Sequence, residues 1–189
     1  SSSPSIVAWE SSSPSIVARG SSSPSIVVAA TAAAVLRAWG TKKLKPVVVE
    51  GGRLVELAKP DISTAEKWCA YHGVTVEDDV ATLYKALDDK FCAHYNHFPY
   101  TPGTEPQAPD WDGGAVECGG GLHFSPTPGH ARGFFPEAKR YVACPVRLAD
   151  IITSPDGMYP AKVKAPGVCG PVYEVDRHGE RVEPVEATA

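Results

Sequence analysis

The sequence predicts a mainly β protein, an N-terminal parallel β-solenoid built from ten-residue repeats followed by a small α+β domain. Three observations predict it. Residues 1–30 are three copies of one decapeptide, SSSPSIVAWE, SSSPSIVARG and SSSPSIVVAA. The later half carries apolar runs of strand length separated by Pro and Gly. A chain of 189 residues, 43% hydrophobic and 21% charged, holds apolar material for one core of ordinary size or two small ones, which excludes general disorder.

Within each repeat the sixth position is always Ile, the eighth is Ala8, Ala18 or Val28, and the ninth varies freely as Trp9, Arg19 and Ala29. Restricted slots that face inward and free slots that face water are the alternation of a strand. The frame persists beyond the exact copies. Arg37 falls in the slot of Val7, Val17 and Val27, and Trp39 returns to the ninth, outward slot. Residues 46–50 keep the frame loosely, and Leu54 to Ala58 form a last apolar rung. Ten residues are too few for a closed coil, but two units make one turn of about 20 residues, each unit a short strand plus a Ser-Pro corner. Residues 1–58 then give about three turns, with stacked strands about 4.8 Å apart and the Ile and Ala rows buried only between neighbours. An open edge on such a stack invites pairing with another copy, so self-association is expected. A flexible linker is the alternative for a Ser-rich segment of this kind. The chain begins inside a repeat without Met, so the native array is expected to be longer.

Residues 59–80 read as a helical cap and connector. Ser63 or Thr64 can N-cap a short helix from Ala65 to Tyr71, with Gly73 as its left-handed stop. Trp68 and Tyr71, three apart, would share a face and close the end of the stack. Residues 81–189 form the α+β domain. Strands are expected at Ala81 to Leu87, Gly121 to Ser125, Tyr141 to Leu148, Ala161 to Ala165 and Val172 to Asp176, the last followed by a turn and a short return strand to Val185. A helix is expected after Pro128, through His130, Ala131, Phe134 and Phe135. Between Asn96 and Gly120 the four prolines Pro99, Pro102, Pro106 and Pro109 argue for a long loop.

Composition narrows the partners. Eighteen Lys and Arg against 22 Asp and Glu give a net charge of −4, a poor start for holding a phosphate backbone, so nucleic acid is not expected. No apolar run approaches the roughly 20 residues that span a bilayer, and no signal peptide is legible, so no membrane is expected either. Five cysteines, Cys69, Cys92, Cys118, Cys144 and Cys169, stand 23 to 26 residues apart with no Cys-x-x-Cys pair, which points to a reduced, cytoplasmic compartment.

The segments LYKALDD (83–89), YTPG (100–103), APDWD (108–112), CGGGLHFSPTP (118–128), YVACPV (141–146) and PVYEVD (171–176) together resemble an uncharacterised domain family of bacterial and bacteriophage genomes. The decapeptide array is similar to repeats that precede this domain in some of those proteins. The resemblance implies a phage or prophage protein, in the host cytoplasm, and assigns no catalytic role to any residue.

Metal binding is one reading of the Cys and His content. Cys118 and His123 with Cys92, His94 or His97 would supply the soft and imidazole ligands of tetrahedral zinc, but the spacings fit no standard zinc module, and buried cysteines and surface histidines are the plainer reading. Ser125 lacks a nucleophile elbow, and Gly119 to Gly121 precede a strand and so make no phosphate loop. Asp110 and Asp112 lack the remaining ligands of a calcium loop and read as a solvated turn. The chain also resembles ADP-ribosyltransferases in the order of a strand bearing Lys85, a GLHFS strand before a helix, and a last strand bearing Glu174. That resemblance implies NAD as cofactor, His123 and Ser125 as dinucleotide contacts and Glu174 as the catalytic carboxylate. It departs from the pattern where Lys85 stands for the usual Arg or His and where no Ser-Thr-Ser motif follows.

The resulting expectation is a non-enzymatic interaction or assembly protein without a cofactor. Its repeat stack is the scaffold, with Trp9, Arg19, Arg37 and Trp39 as the outward anchors for a protein partner or a second copy. Its C-terminal domain is the cap and recognition module, with Trp111, His123, Ser125 and His130 lining the binding site.

Overall fold

The computed structural model describes residues 60–183 in full and, before them, the backbone of six short strands. The chain divides into two compact units, Ser1–Asp61 with Pro155–Pro160, and Ile62–Ser154 with Ala161–Ala189.

In the first unit the strands are β1 (Ser5–Ala8), β2 (Ser15–Ala18), β3 (Ser25–Val28), β4 (Ala33–Ala38), β5 (Val48–Val49) and β6 (Arg53–Leu57). The Ile-Val centre of each decapeptide is β-branched, which favours extended backbone. Every strand skips its sequence neighbour and pairs with the one two units on, giving parallel sheets ordered β1-β3-β5 and β2-β4-β6. Ile6 lies opposite Ile26, Ile16 opposite Leu36 and Val35 opposite Val55. The pairing of β3 with β5 slips by one, with Val27 opposite Val48. Arg37 lies in β4 opposite Val17 and Leu57. Trp9, Arg19 and Trp39 lie outside the described residues.

The second unit is mainly β with antiparallel sheets and few helices. It opens with α1 (Ala65–His72), capped by Thr64, whose side chain accepts from Lys67 N, and stopped by Gly73 in the left-handed conformation. Trp68 is fully buried whereas Tyr71 is 39% exposed. Then follow β7 (Val76–Glu77), β8 (Val80–Leu87), β9 (Leu122–Phe124), α2 (Pro128–Arg132), β10 (Arg140–Arg147), β11 (Val163–Ala165) and β12 (Tyr173–Val175). Asp78 and Asp79, both at positive φ, make the two-residue hairpin between β7 and β8, so the end of the expected connector is the first strand of a sheet.

The four-stranded sheet is ordered β12-β10-β8-β7, and β9 pairs with β11 separately. A bridge between Tyr84 and Ser125 joins the end of β9 to β8. Residues opposed in an antiparallel pair share a face. One face of the β8–β10 pair therefore carries Leu83, Leu87, Val142, Cys144 and Val146, all fully buried, together with Lys85. The other carries Ala86, Tyr141, Ala143 and Val175, packed against Ala131, Phe135 and Ala138. Burial on both faces explains why β10 reads as an almost unbroken apolar run.

Several boundaries differ from expectation. Leu148 belongs to a 3₁₀ turn, Leu148–Asp150, and β11 begins only at Val163. The second helix stops at Arg132, five residues in, before Phe134 and Phe135. The return strand reduces to a bridge between Val175 and Arg181, because the Asp176 carboxylate accepts from His178 N and Glu180 N and curls the chain; Val185 lies outside the described residues.

The short second helix leans on its cap. Thr127 Oγ1 accepts from His130 N at 3.1 Å and lies 2.8 Å from His130 Nδ1. Thr127→Ala is expected to lower stability by about 1 kcal/mol, read as an earlier urea midpoint at unchanged slope.

Candidate functional site

The segment Asp110-Trp111-Asp112 lies directly across the backbone of Gly119, Gly120 and Gly121. Asp112 Oδ1 accepts from Gly114 N at 2.9 Å and from Lys164 Nζ at 2.7 Å, and its Oδ2 accepts from Gly120 N at 2.8 Å. Asp110 Oδ1 accepts from Gly121 N at 3.1 Å. The approach is so close that a Cβ on Gly120 would overlap the Asp110 carbonyl oxygen, and one on Gly121 would stand 2.8 Å from the Trp111 ring. Gly121 also sits at φ +127°, where only glycine is at ease. These two carboxylates are on exposed residues, as expected of a solvated turn, and are tied down as well. Their oxygens satisfy backbone amides and one lysine.

Lys164 on β11 is only 2% exposed, whereas Asp112 keeps 40% of its side chain in water. The bond from Lys164 and those from Gly114 and Gly120 hold the Asp112 carboxyl down to about 2. Lys164 Nζ also donates to Gly120 O at 3.3 Å and stands 5.6 Å from the centre of the Trp111 ring. Two further lysines approach His123. Lys85 Nζ, on the buried face of β8, donates to His123 O at 2.7 Å and lies 5.4 Å over Tyr100. Burial, with the charge of Lys162 adding to it, pushes the Lys85 amine down to about 8. Lys162 Nζ donates to Cys118 Sγ at 3.0 Å and lies 5.7 Å over the Phe134 ring.

His123 is thus a half-buried imidazole among three ammonium groups. Burial first, then Lys85, Lys162 and Lys164, push it down to about 4, so the ring is neutral at pH 7. Its Nε2 is buried without a hydrogen-bond partner. Sequence reasoning missed Lys162 and Lys164. The signal was the alternation Lys-Val-Lys at 162–164, at the entry to β11.

The four expected binding residues separate into different roles. Trp111 and His123 meet in this lysine cluster. Ser125 is 3% exposed and exchanges both backbone bonds with Tyr84, at 2.9 and 3.0 Å. His130 is exposed on α2 and faces His72 of α1 at 5.9 Å between ring centroids. His72 in turn lies 4.8 Å from the Trp68 ring and 4.9 Å from that of Tyr71; burial first and His130 second push it down to about 4, and its Nε2 has no partner.

Compared with known protein families, curated proteins and solved structures, the chain matches none. Its own geometry is what bears on function.

Lys85, Val142 and Glu174 stand in one row across β8, β10 and β12. Glu174 is at the sheet edge, paired with Arg140 Nη1 at 2.8 Å, and Arg140 lies 5.5 Å over Phe91. Among the described residues no three of His, Cys, Asp or Glu gather as a ligand set. Cys92 donates to Lys90 O at 3.7 Å, His94 stacks on Phe135 at 4.5 Å, and His97 sits in a turn at φ +52°. Cys118 and His123 lie among lysines, whose charges oppose a cation. An open cleft of about 970 Å³ lined by Asp88, Asp89, Phe135, Glu137, Lys139 and Arg140 was not foreseen and contains none of the expected binding residues.

Among the described residues no helix is long and apolar enough to cross a membrane.

Proposed function

We propose that this chain is an interaction and assembly protein of bacteriophage or prophage type, in which the decapeptides stack as a parallel β-solenoid and the second unit recognises a protein partner. The observation that carries the reading is the twenty-residue offset between paired strands, Ser5 with Ser25, Ser15 with Val35 and Ala34 with Leu54. A flexible linker has no reason to pair each strand with the one two units on; a coil of two units per turn requires it. The stack gives a row of equivalent positions on which a protein partner or a second copy can be ordered. The lysine cluster with Trp111 and His123, reached from solvent at Asp112 and Cys118, serves as its recognition site. The five cysteines, all free thiols, fit a reducing cytoplasm.

An NAD-using reading has less support, since the Lys85 amine is bonded to the His123 carbonyl and Glu174 to Arg140. No cofactor is invoked.

Hydrogen exchange on the full chain tests the scaffold. Amides in β1 to β6 are expected to exchange at least about 100-fold more slowly than random coil, with β3 and β4, paired on both sides, slowest of all. Exchange at random-coil rates through these strands would remove the stack and the assembly role with it.

A further inference from the structure

The five thiols are not equivalent. Cys69 and Cys144 are buried, and burial pushes them up to about 11 and about 12. Cys92 and Cys169 are partly covered and donate to the carbonyl oxygens of Lys90 and Pro145. Cys118 alone is exposed, and it alone has an amine in contact, Lys162 Nζ at 3.0 Å. No disulfide joins any of the five, so the nucleophile already in place beside an oxidised Cys118 is that amine.

We propose that Cys118 and Lys162 are a modification site, at which peroxide drives a reversible sulfenamide cross-link between the two side chains. In the first step the Cys118 sulfur attacks one oxygen of hydrogen peroxide. The S–O bond forms, the O–O bond breaks, water leaves, and the sulfur is oxidised by two electrons to sulfenic acid. In the second, the Lys162 ammonium gives one proton to solvent and its Nζ lone pair attacks that sulfur. The N–S bond forms, the S–OH bond breaks, and hydroxide leaves as water with a second proton from the nitrogen. No further oxidant is consumed, and an external thiol reverses the link by attacking sulfur and releasing the amine.

Geometry favours this over continued oxidation. An N–S bond is on the order of 1.7 Å, so the two atoms must close by about 1.3 Å, a small movement for an exposed cysteine and a side chain with four methylenes. Charge favours it too. Lys85, Lys162 and Lys164 all bear on His123, and a sulfenamide nitrogen, with its one remaining hydrogen, is uncharged at neutral pH, so the link removes one positive charge from that crowd. Because it also ties the loop that ends at Gly120 to the approach to β11, oxidation would change both the charge and the mobility of the surface around Trp111 and His123. The pair's chemistry stands independently of whether that surface is the recognition site.

The test treats the full chain with hydrogen peroxide, with and without dimedone to trap sulfenic acid, followed by intact-mass and tryptic peptide analysis. The expected product is about 2 Da lighter, is reversed by dithiothreitol, and yields a peptide pair joined through Cys118 and Lys162. Lys162→Arg keeps the charge and offers no amine, so it is expected to lose the joined pair and to gain at least about five-fold in dimedone adduct or sulfinic acid at Cys118. Equal adduct in both proteins, or a disulfide at Cys118, would overturn the proposal. Should the variant fail to fold, by its thermal melt, the wild-type peptide map decides alone: Cys118 oxidised with no joined pair is the negative result.

Discussion

Gly120→Ala is expected to be among the most damaging single-methyl changes in the second unit, lowering stability by about 2–4 kcal/mol and the thermal midpoint by roughly 5–15 °C. The added Cβ would meet the Asp110 carbonyl oxygen, a backbone atom on a segment fixed from several sides. Asp110 is bonded to Gly121 N, Asp112 to Gly114 N, Gly120 N and Lys164, and Trp111 is pressed on Gly121. Relief would require lifting the whole segment and stranding the nearly buried Lys164 ammonium, which is why no small adjustment absorbs the methyl. Gly129→Ala is the control: its Cβ would come no closer than 3.7 Å to Thr127 Oγ1, and alanine favours the helix there. Calorimetric melts of the two variants beside the parent check the contrast. Equal, small shifts would mean that the Asp110–Asp112 segment is not packed on the glycines in solution.

Acid is expected to weaken the second unit between pH 6.5 and 4, before the Asp112–Lys164 pair begins to titrate. His72 and His123 are both pushed from 6.5 down to about 4, in each case by burial first. A base depressed on folding binds fewer protons folded than unfolded, so stability rises with pH across that interval. The contribution is complete above pH 6.5 and declines as pH falls through the window to 4. A fully shielded ring would contribute about 3 kcal/mol; half-buried, screened rings retain about 1–2 kcal/mol each. Asp112, held at about 2, stays ionised across this range, and its contribution fades only below its usual 3.8. His72→Phe keeps a ring beside Trp68 and should flatten the pH slope by about half while leaving stability above pH 7 within roughly 0.5 kcal/mol of the parent. Urea midpoints at pH 4.5, 5.5, 6.5 and 8 would show it, and a slope unchanged in the variant would place the acid sensitivity elsewhere.

Local rules were most legible where a short signal sufficed. Thr64 and Gly73 bracket α1 by cap chemistry alone, and the apolar runs at Val80–Leu87 and Arg140–Arg147 are long enough to be strands in any register. The exact decapeptide fixed where β1 to β3 lie, and the weaker frame at Arg37 and Val48 located two more. The candidate site was legible in part. Trp111 and His123 were singled out from the long loop and the GLHFS strand, but the lysines that set the state of His123 come from residues 38 to 41 positions away, and only folding brings Lys85, Lys162 and Lys164 to one ring. The partner of Asp112 was hidden for the same reason: its spacing to Asp110 says turn, while Lys164 lies 52 residues on. Phe134 and Phe135 looked helical by pattern, yet Gly133 N donates back to His130 O and closes the helix first.

The outermost strands of the four-stranded sheet offer little to a neighbour. Strand β7 presents two residues, β12 three, and the free side of β12 is already touched by Val182, whose amide donates to Glu174 O. Such stubby, partly occupied margins are poor templates for adding a foreign strand, which protects this half of the molecule from clumping.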